Sequence, residues 1–321
     1  MFVLNVMLFS FMYLISFHLV MNSDDWFLLW LGLEINMMIF IMLMYKENSI
    51  LKVESCLKYF FIQSVGSAIL MGCFYLNKEW MDLAVCLLLG YKIGAGPFFF
   101  WFPSVCSGLS WMSCFVLMSF QKVIPLMIMK IFVSWILYMM VVVSLFFGVF
   151  GCYNQSNLKQ LIAYSSVYHM GWIMLCNFST DLSWFMYLLL YSFMIFPVMK
   201  FFEYLMFEDL TMLMKMKYKG WIIFMMLSMA GMPPFLGFFL KLFAFIMIFS
   251  YEYYFMMFLI FCSVVMFYIY FRVIYDVLMS YYINVNWMNF MLINNISNNN
   301  LVMMSVLGLM MGIFFMIFFI M

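Results

Sequence analysis

The sequence predicts an all-α protein, a polytopic transmembrane bundle of about 10–11 helices, two or three of which are broken. Hydrophobic residues make up 69% of the 321-residue chain and charged residues only 8%, whereas about 25% of residues are charged in ordinary soluble domains. Apolar runs of about 20 residues, long enough to cross a bilayer, follow one another along the chain. Most charged residues lie in the connectors between these runs, as a membrane interior requires.

The apolar runs define the elements in order. They cover 1–21, 26–45, 57–76, 81–101, 108–133, 134–152, 158–178, 183–207, 221–249, 252–279 and 301–321. The first run has neither a positively charged start nor a small-residue cleavage site, so we expect a retained helix rather than a cleaved signal. An Asn-rich loop is expected at 283–300, before the last helix. The whole chain, 1–321, is expected to form a single transmembrane domain.

Glycine and proline interrupt three of these runs. The interruptions are Gly94 and Pro97 in 81–101, Pro125 in 108–133, and Pro233 and Pro234 in 221–249. Proline removes a backbone donor, and at membrane depth the freed carbonyls must be satisfied by protein or water. Broken helices of this kind recur in transporters. A kink that only serves packing is the alternative, above all for a lone proline.

Four charged residues lie deep within the runs and are expected at membrane depth: Glu34, Lys92, Lys122 and Lys241. Each costs about 2.5–3.5 kcal/mol to insert at membrane depth, so the four cost roughly 10–14 kcal/mol before any compensation. Packing alone does not justify that cost. A Glu–Lys pair that can separate holds or releases a proton, and a row of such groups linked by water forms a proton relay. The alternative is a static ion pair between Glu34 and a lysine, although one glutamate cannot neutralise three lysines.

His169 lies near the middle of the run 158–178, with Ser165 and Ser166 about one turn earlier on the same face. Imidazole exchanges protons near neutral pH, which makes His169 a further candidate for the relay. A histidine that only hydrogen-bonds a neighbouring helix fits this position equally well. Lysines nearer the ends of runs are expected to reach the interface, namely Lys130, Lys159 and Lys200. An interfacial belt is expected to account for most Tyr and Trp residues.

Neither a cofactor nor a metal site is predicted on this chain. The sequence contains no Gly-rich nucleotide turn, iron–sulfur cysteine set or haem ligand pair. Its eight cysteines are scattered through apolar runs and are expected to be buried, reduced thiols. The chain has only two histidines, and no cluster of Cys and His residues has the spacing of a metal site. The net charge of +1 argues against binding to nucleic acid.

Four motifs follow one another in the order of a known family. They are YKIGAGPFFFWFP at 91–103, FQKVIPL at 120–126, NQSNLKQLIAYSSVYHMGW at 154–172 and GMPPFLGFFLK at 231–241. Together they resemble the antiporter-like membrane subunits of respiratory complex I over nearly the whole chain. The resemblance implies an antiporter-like fold. It places the proton-channel glutamate of the family on Glu34 and its lysines on Lys92, Lys122 and Lys241.

Two positions depart from the family pattern. The family usually has a histidine where this chain has Phe99, and an acidic residue where it has Ser104. Neither change touches the four buried charges, but both put in doubt a proton-path role for that stretch of the broken helix.

The resemblance implies a proton-translocating subunit of NADH:ubiquinone reductase, which couples electron transfer on other subunits to pumping through a Glu/Lys relay. FMN, iron–sulfur clusters, NADH and ubiquinone are then expected on partner subunits. The expected partners are other membrane-arm subunits, including neighbouring antiporter-like ones, and the lipid bilayer. The expected location is the mitochondrial inner membrane. The 42 Met and 43 Phe residues agree with this location, because a biased organelle genome explains them better than membrane physics does.

Two other functions remain open at the level of the sequence. One is an independent cation/proton antiporter, which shares the fold, although a carboxylate cluster for a metal cation is missing. The other is a structural membrane scaffold.

Overall fold

The computed structural model describes residues 2–23, 25–45, 49–74, 78–132, 134–179, 182–214, 219–233, 235–249 and 253–283. Within these ranges the helices are α1 Phe2–Met21, α2 Trp26–Met44, α3 Ile50–Cys73, α4 Lys78–Ile93, α5 Trp101–Gly108, α6 Trp111–Met118, α7 Phe120–Ile131, α8 Ile136–Tyr153, α9 Leu158–Cys176, α10 Ser183–Leu205, α11 Leu210–Met214, α12 Lys219–Ala230, α13 Leu236–Phe249 and α14 Tyr253–Ile283. The prediction of an all-α bundle is confirmed.

The predicted runs from 1–21 to 252–279 each coincide with one helix or with two helices that meet at an interruption. Among the described residues, six helical segments are able to cross a membrane by length and composition: Trp26–Met44, Ile50–Cys73, Trp111–Ile131, Ile136–Tyr153, Ser183–Leu205 and Phe255–Met279. Ile283 ends α14 rather than opening a loop. Pro234, the rest of the predicted loop and the run 301–321 lie outside the described residues.

The helix α9 forms the centre of the described bundle. It packs against α5, α6, α8, α10 and α13, and all its residues except Gln160 and Tyr164 are buried. Glycines bring α8 unusually close: a Cβ on Gly148 would lie 2.6 Å from the backbone nitrogen of Tyr168. Because protein surrounds α9 on all sides, this helix tolerates polar side chains that a lipid-facing helix would not.

The first interruption follows α4. Gly94 has a φ of +74°, a left-handed conformation that glycine adopts without a steric penalty. Its N–H donates to Tyr91 O at 3.2 Å, and the Ala95 N–H donates to Gly90 O at 2.9 Å. This pair of bonds is a common way to close a helix and to satisfy its last carbonyls. The chain then turns through Pro97 and resumes as α5 at Trp101, so the run 81–101 consists of α4 and the turn that follows it.

The second interruption follows α12 and has a similar turn. Gly231 has a φ of +80°. The N–H groups of Gly231 and Met232 both donate to Leu227 O, at 3.1 and 3.4 Å. After Pro233 the chain resumes as α13. A Cβ on Gly237 would lie 2.0 Å from Ser228 O, so glycine is required for α13 to start against the last turn of α12.

The prediction of a break at Pro125 is wrong. Pro125 lies inside α7, Phe120–Ile131. Because α7 begins close to the proline, the missing N–H removes only the helical donor for Gln121 O. The run 108–133 is interrupted instead at Ser119, between α6 and α7, where the Ser119 hydroxyl donates to Phe115 O at 2.7 Å.

Candidate functional site

The three lysines predicted for the relay and His169 lie inside the bundle. Their exposed fractions are 6% for Lys92, 2% for Lys122, 9% for Lys241 and 1% for His169. Glu34 on α2 is half-buried. The lysines lie on α4, α7 and α13, and His169 lies on the central helix α9. Residues far apart in the sequence are therefore enclosed by the same protein interior.

A cavity of about 20 Å³ lies between Lys92 and Lys122, and both side chains line it. One water molecule needs about 10–15 Å³, so this cavity is large enough to hold one. Besides the two lysines, its polar lining comes from the uncharged side chains of Asn36, Tyr59, Gln63 and Gln121. A water held there would connect the two lysines.

The polar lining of this cavity is hydrogen-bonded internally. Asn36 Nδ2 donates to Gln121 Oε1 at 3.0 Å, and the Tyr59 hydroxyl donates to the same oxygen at 3.4 Å. Gln121 Nε2 donates in turn to Asn36 O at 3.4 Å. These bonds join α2, α3 and α7, three of the helices that line the cavity. The cavity wall is thus held by three helices.

Glu34 and Lys92 are electrostatic neighbours rather than a closed ion pair. Glu34 is near enough to act on the charge of Lys92 and on Tyr59. Among the described residues no carboxylate lies within 4.0 Å of Lys92 Nζ. A static ion pair between Glu34 and a lysine is therefore not formed in this part of the chain.

Lys122 has no ionic partner in the described segments. Its Nζ is fully buried and makes no hydrogen bond to them. The amine lies 4.9 Å from the centroid of the Phe102 ring, a favourable cation–π distance. An aromatic face offsets only part of the cost of burying an ammonium group. A bound water is the natural partner for such a group.

His169 lies within electrostatic range of both Lys122 and Lys241. Its Nδ1 hydrogen-bonds the Tyr187 hydroxyl of α10 at 2.9 Å. The Tyr191 ring packs against the imidazole, with 4.7 Å between the ring centroids. The hydrogen bond to a neighbouring helix is therefore present, and it fixes the imidazole beside the two lysines.

Lys241 reaches back to the end of the broken helix. Its Nζ donates to Ala230 O at 2.9 Å, and Ala230 is the last residue of α12. The C-terminus of a helix carries a partial negative charge and attracts cations. The lysine thus satisfies a carbonyl that the interruption frees.

In the first interruption uncharged side chains satisfy the freed carbonyls. Gln63 Nε2 donates to Lys92 O at 2.8 Å, and Trp101 Nε1 donates to Tyr91 O at 3.1 Å. The Lys92 amine is left beside the cavity. Electrostatic interactions and the shared cavity therefore connect these groups in the order Glu34, Lys92, Lys122, His169 and Lys241.

The sequence does not single out the uncharged residues of the site. Asn36 and Gln121 stand close in sequence to Glu34 and Lys122, and this proximity was the available signal. Four tyrosines do not belong to the expected interfacial belt, because they are fully buried: Tyr168, Tyr187, Tyr191 and Tyr270. Ser165 and Ser166 donate to carbonyls of their own helix rather than to His169.

Lys159 is not an interfacial lysine, contrary to the expectation from its position. It is 5% exposed, and its Nζ pairs with Glu208 Oε1 at 2.6 Å. The reason is the burial of α9, which extends to its first turn. The expectation for cysteine is confirmed, because all eight are buried and free.

The two departures from the family pattern have ordinary packing roles. Phe99 is buried and stacks on Phe147, with 4.8 Å between the ring centroids. The Ser104 hydroxyl donates to Trp101 O at 2.8 Å. Neither residue contributes a charge to the row of lysines.

The chain matches a family of transmembrane domains described as NADH:quinone oxidoreductase/Mrp antiporter, over residues 23–79 and 75–267. It is 34% identical to NADH-ubiquinone oxidoreductase chain 2 of Aedes aegypti, and the similarity covers 94% of this chain and 95% of that protein. It is 32% identical to the protein of the same name from Anopheles gambiae, over 86% of each.

Solved structures share the fold. A chain of respiratory complex I from Thermus thermophilus has a TM-score of 0.77 at 21% identity, covering 96% of this chain and 78% of that chain. A chain of an archaeal membrane-bound sulfane sulfur reductase has a TM-score of 0.74 at 16% identity, covering 96% and 72%. For a chain of the Mrp complex from Dietzia sp. the TM-score is 0.61 at 15% identity, covering 79% and 55%. At these identities the likeness establishes the fold alone.

Proposed function

Because this chain belongs to the family of NADH-ubiquinone oxidoreductase chain 2 proteins, we propose that it is a proton-conducting membrane subunit of respiratory complex I. It is then a subunit of a proton-translocating NADH:ubiquinone reductase. The observation that carries the proposal is the row of buried lysines, Lys92, Lys122 and Lys241. The described residues offer none of them a carboxylate within 4.0 Å. Such uncompensated charges at membrane depth mark ion and proton pathways.

Proton transfer runs along the row from Glu34 to Lys241. A change in the charge or pairing of Glu34 alters the proton affinity of Lys92 through their electrostatic contact, which couples distant chemistry to transfer. Lys92 and Lys122 exchange a proton through the shared cavity. His169 then links Lys122 to Lys241, the exit-side group, which the end of α12 holds in place.

Redox chemistry belongs to partner subunits in this proposal. FMN, iron–sulfur clusters, NADH and ubiquinone bind there, and the neighbours of this chain are other membrane-arm subunits, including antiporter-like ones. We place the chain in the mitochondrial inner membrane as a multi-pass protein. The curated relatives support this assignment, and the bias towards Met and Phe agrees with it.

An independent cation/proton antiporter is the second candidate, favoured by the fold shared with the Mrp complex. The described residues contain no group of three or more His, Cys, Asp and Glu side chains that could hold a metal ion. The two functions are separated by purification. A complex I subunit co-purifies with respiratory subunits, whereas an independent antiporter purifies alone and exchanges cations for protons in liposomes.

The relay is tested with Lys122→Met in the assembled complex reconstituted into liposomes. We expect assembly to persist and the pumping rate per complex to fall at least roughly tenfold, because a group that transfers protons typically contributes that much or more. The matched control is Lys200→Met. Lys200 is partly exposed and lies 5.5 Å from the Phe196 ring, away from the row, so pumping should be retained. Normal pumping by Lys122→Met would show that the chain is a scaffold.

A further inference from the structure

Tyr191 of α10 lies next to both Lys122 and His169. Its ring centroid lies 6.0 Å from Lys122 Nζ and 4.7 Å from the centroid of the imidazole. The side chain is 1% exposed. Of the steps along the row, the step from Lys122 to His169 therefore has one aromatic side chain in contact with both groups.

Two buried polar atoms at this point lack partners. The Tyr191 hydroxyl and Lys122 Nζ each have no hydrogen-bond partner in the described part of the chain. An unpaired polar group in a protein interior is costly, and a bound water commonly satisfies it. On the other side His169 Nδ1 is already engaged by the Tyr187 hydroxyl. Tyr187 therefore holds the imidazole in place. The Tyr191 hydroxyl has the Ser166 hydroxyl near it, but it forms no hydrogen bond of normal geometry with the described residues.

We propose that the Tyr191 hydroxyl passes the proton between Lys122 and His169. This role rests on the proton path proposed above. A hydroxyl both accepts and donates hydrogen bonds, so it can receive one proton while releasing another. A water between the two groups takes a proton from the Lys122 ammonium and delivers its own to the Tyr191 oxygen. The original hydroxyl proton leaves towards the imidazole. Lys122 ends neutral, His169 ends protonated, and Tyr191 and the water are unchanged.

A purely structural role for Tyr191 would depend on its ring alone. The ring packs on His169 and borders Lys122, and phenylalanine would keep both contacts. The hydroxyl is what distinguishes the two roles. Tyr168 provides a matched comparison, because its hydroxyl is also buried without a partner in the described residues and its ring lies 5.3 Å from the His169 ring.

The test compares Tyr191→Phe with Tyr168→Phe in the assembled complex in liposomes, with pumping expressed per assembled complex. We expect Tyr191→Phe to slow pumping roughly tenfold, the low end for loss of a proton-transferring group, and Tyr168→Phe to pump near the wild-type rate. Tyr191→His, which restores a group that exchanges protons, should recover part of the loss. Equal rates for the two phenylalanine variants, or no recovery with histidine, would overturn the role of Tyr191.

A double variant separates this inference from the proposed function. If Tyr191 and Lys122 act in one path, Lys122→Met with Tyr191→Phe should be no slower than Lys122→Met alone, because residues that act as a unit are not additive. Loss of pumping in Lys122→Met together with normal pumping in Tyr191→Phe would overturn the role of Tyr191 only. Normal pumping in both single variants would overturn the proposed function itself.

Discussion

The interruption after α4 and the interruption after α12 are built on similar backbone turns. Each ends at a glycine with positive φ, Gly94 or Gly231, whose N–H donates back to the last helical turn. Each stands close to a buried lysine. The two sites differ in what satisfies the freed carbonyls, and that difference decides what the lysine amine is able to do.

At the first interruption neutral side chains satisfy the carbonyls. The Gln63 side chain donates to the backbone oxygen of Lys92, and the Trp101 side chain donates to that of Tyr91. The Lys92 amine therefore remains beside the polar cavity. At the second interruption Lys241 itself donates to Ala230 O. Similar backbone turns therefore leave one lysine available and anchor the other. An available amine suits proton exchange within the path, and an anchored amine suits a fixed terminal position.

The largest effect is expected from Gly237→Ala, which tests how the second interruption is held. A Cβ there would lie 2.0 Å from Ser228 O and 3.1 Å from Gly231 Cα. Both are backbone atoms that cannot move aside alone, so we expect a destabilisation of about 3 kcal/mol or more, beyond the usual range for overpacking. Native gels should show little assembled complex. The control is Gly72→Ala in α3, where nothing lies within 4 Å. Normal assembly of the Gly237 variant would show that α12 and α13 need no such close approach.

A smaller effect separates the two lysines themselves. Lys92→Met and Lys241→Met both remove a buried amine, so both should abolish pumping and both avoid the same insertion cost. Only Lys241→Met leaves a buried carbonyl, Ala230 O, without its donor. We therefore expect it to be less stable than Lys92→Met by about 1–3 kcal/mol, the cost of an unsatisfied buried group. Thermal unfolding of the two complexes measures this difference. Equal stabilities would mean that Lys241 is not anchored.

Much of this comparison is readable in the sequence, because it depends on local composition. Lys92 and Lys241 are identifiable in the sequence because each is a charged residue within an apolar run. Both interruptions are identifiable because glycine and proline stand close together there. The prediction fails where neighbouring residues decide the geometry. Pro125 does not break its helix, because α7 begins close enough to it that only one carbonyl loses its donor.

The partners of these residues are not readable in the same way. Asn36 and Gln121 are 85 positions apart, and no local pattern pairs them. Tyr187 and Tyr191 are uncharged aromatic residues in an apolar helix, a pattern that interfacial residues share. Their burial follows from the packing of α10 against α9, which is a property of the tertiary fold.

The smallest effect is expected at Gln63, whose uncharged side chain donates to Lys92 O. It tests whether this hydrogen bond is what leaves the Lys92 amine available. Gln63→Leu removes the donor to Lys92 O, so the complex should lose about 1–3 kcal/mol of stability. Pumping should persist, because the amine is untouched. The control is Ser64→Ala, since the exposed Ser64 hydroxyl donates only to Phe61 O of its own helix at 3.1 Å. If Gln63→Leu instead loses pumping at unchanged stability, the freed carbonyl has captured the Lys92 amine, and the first interruption has become like the second.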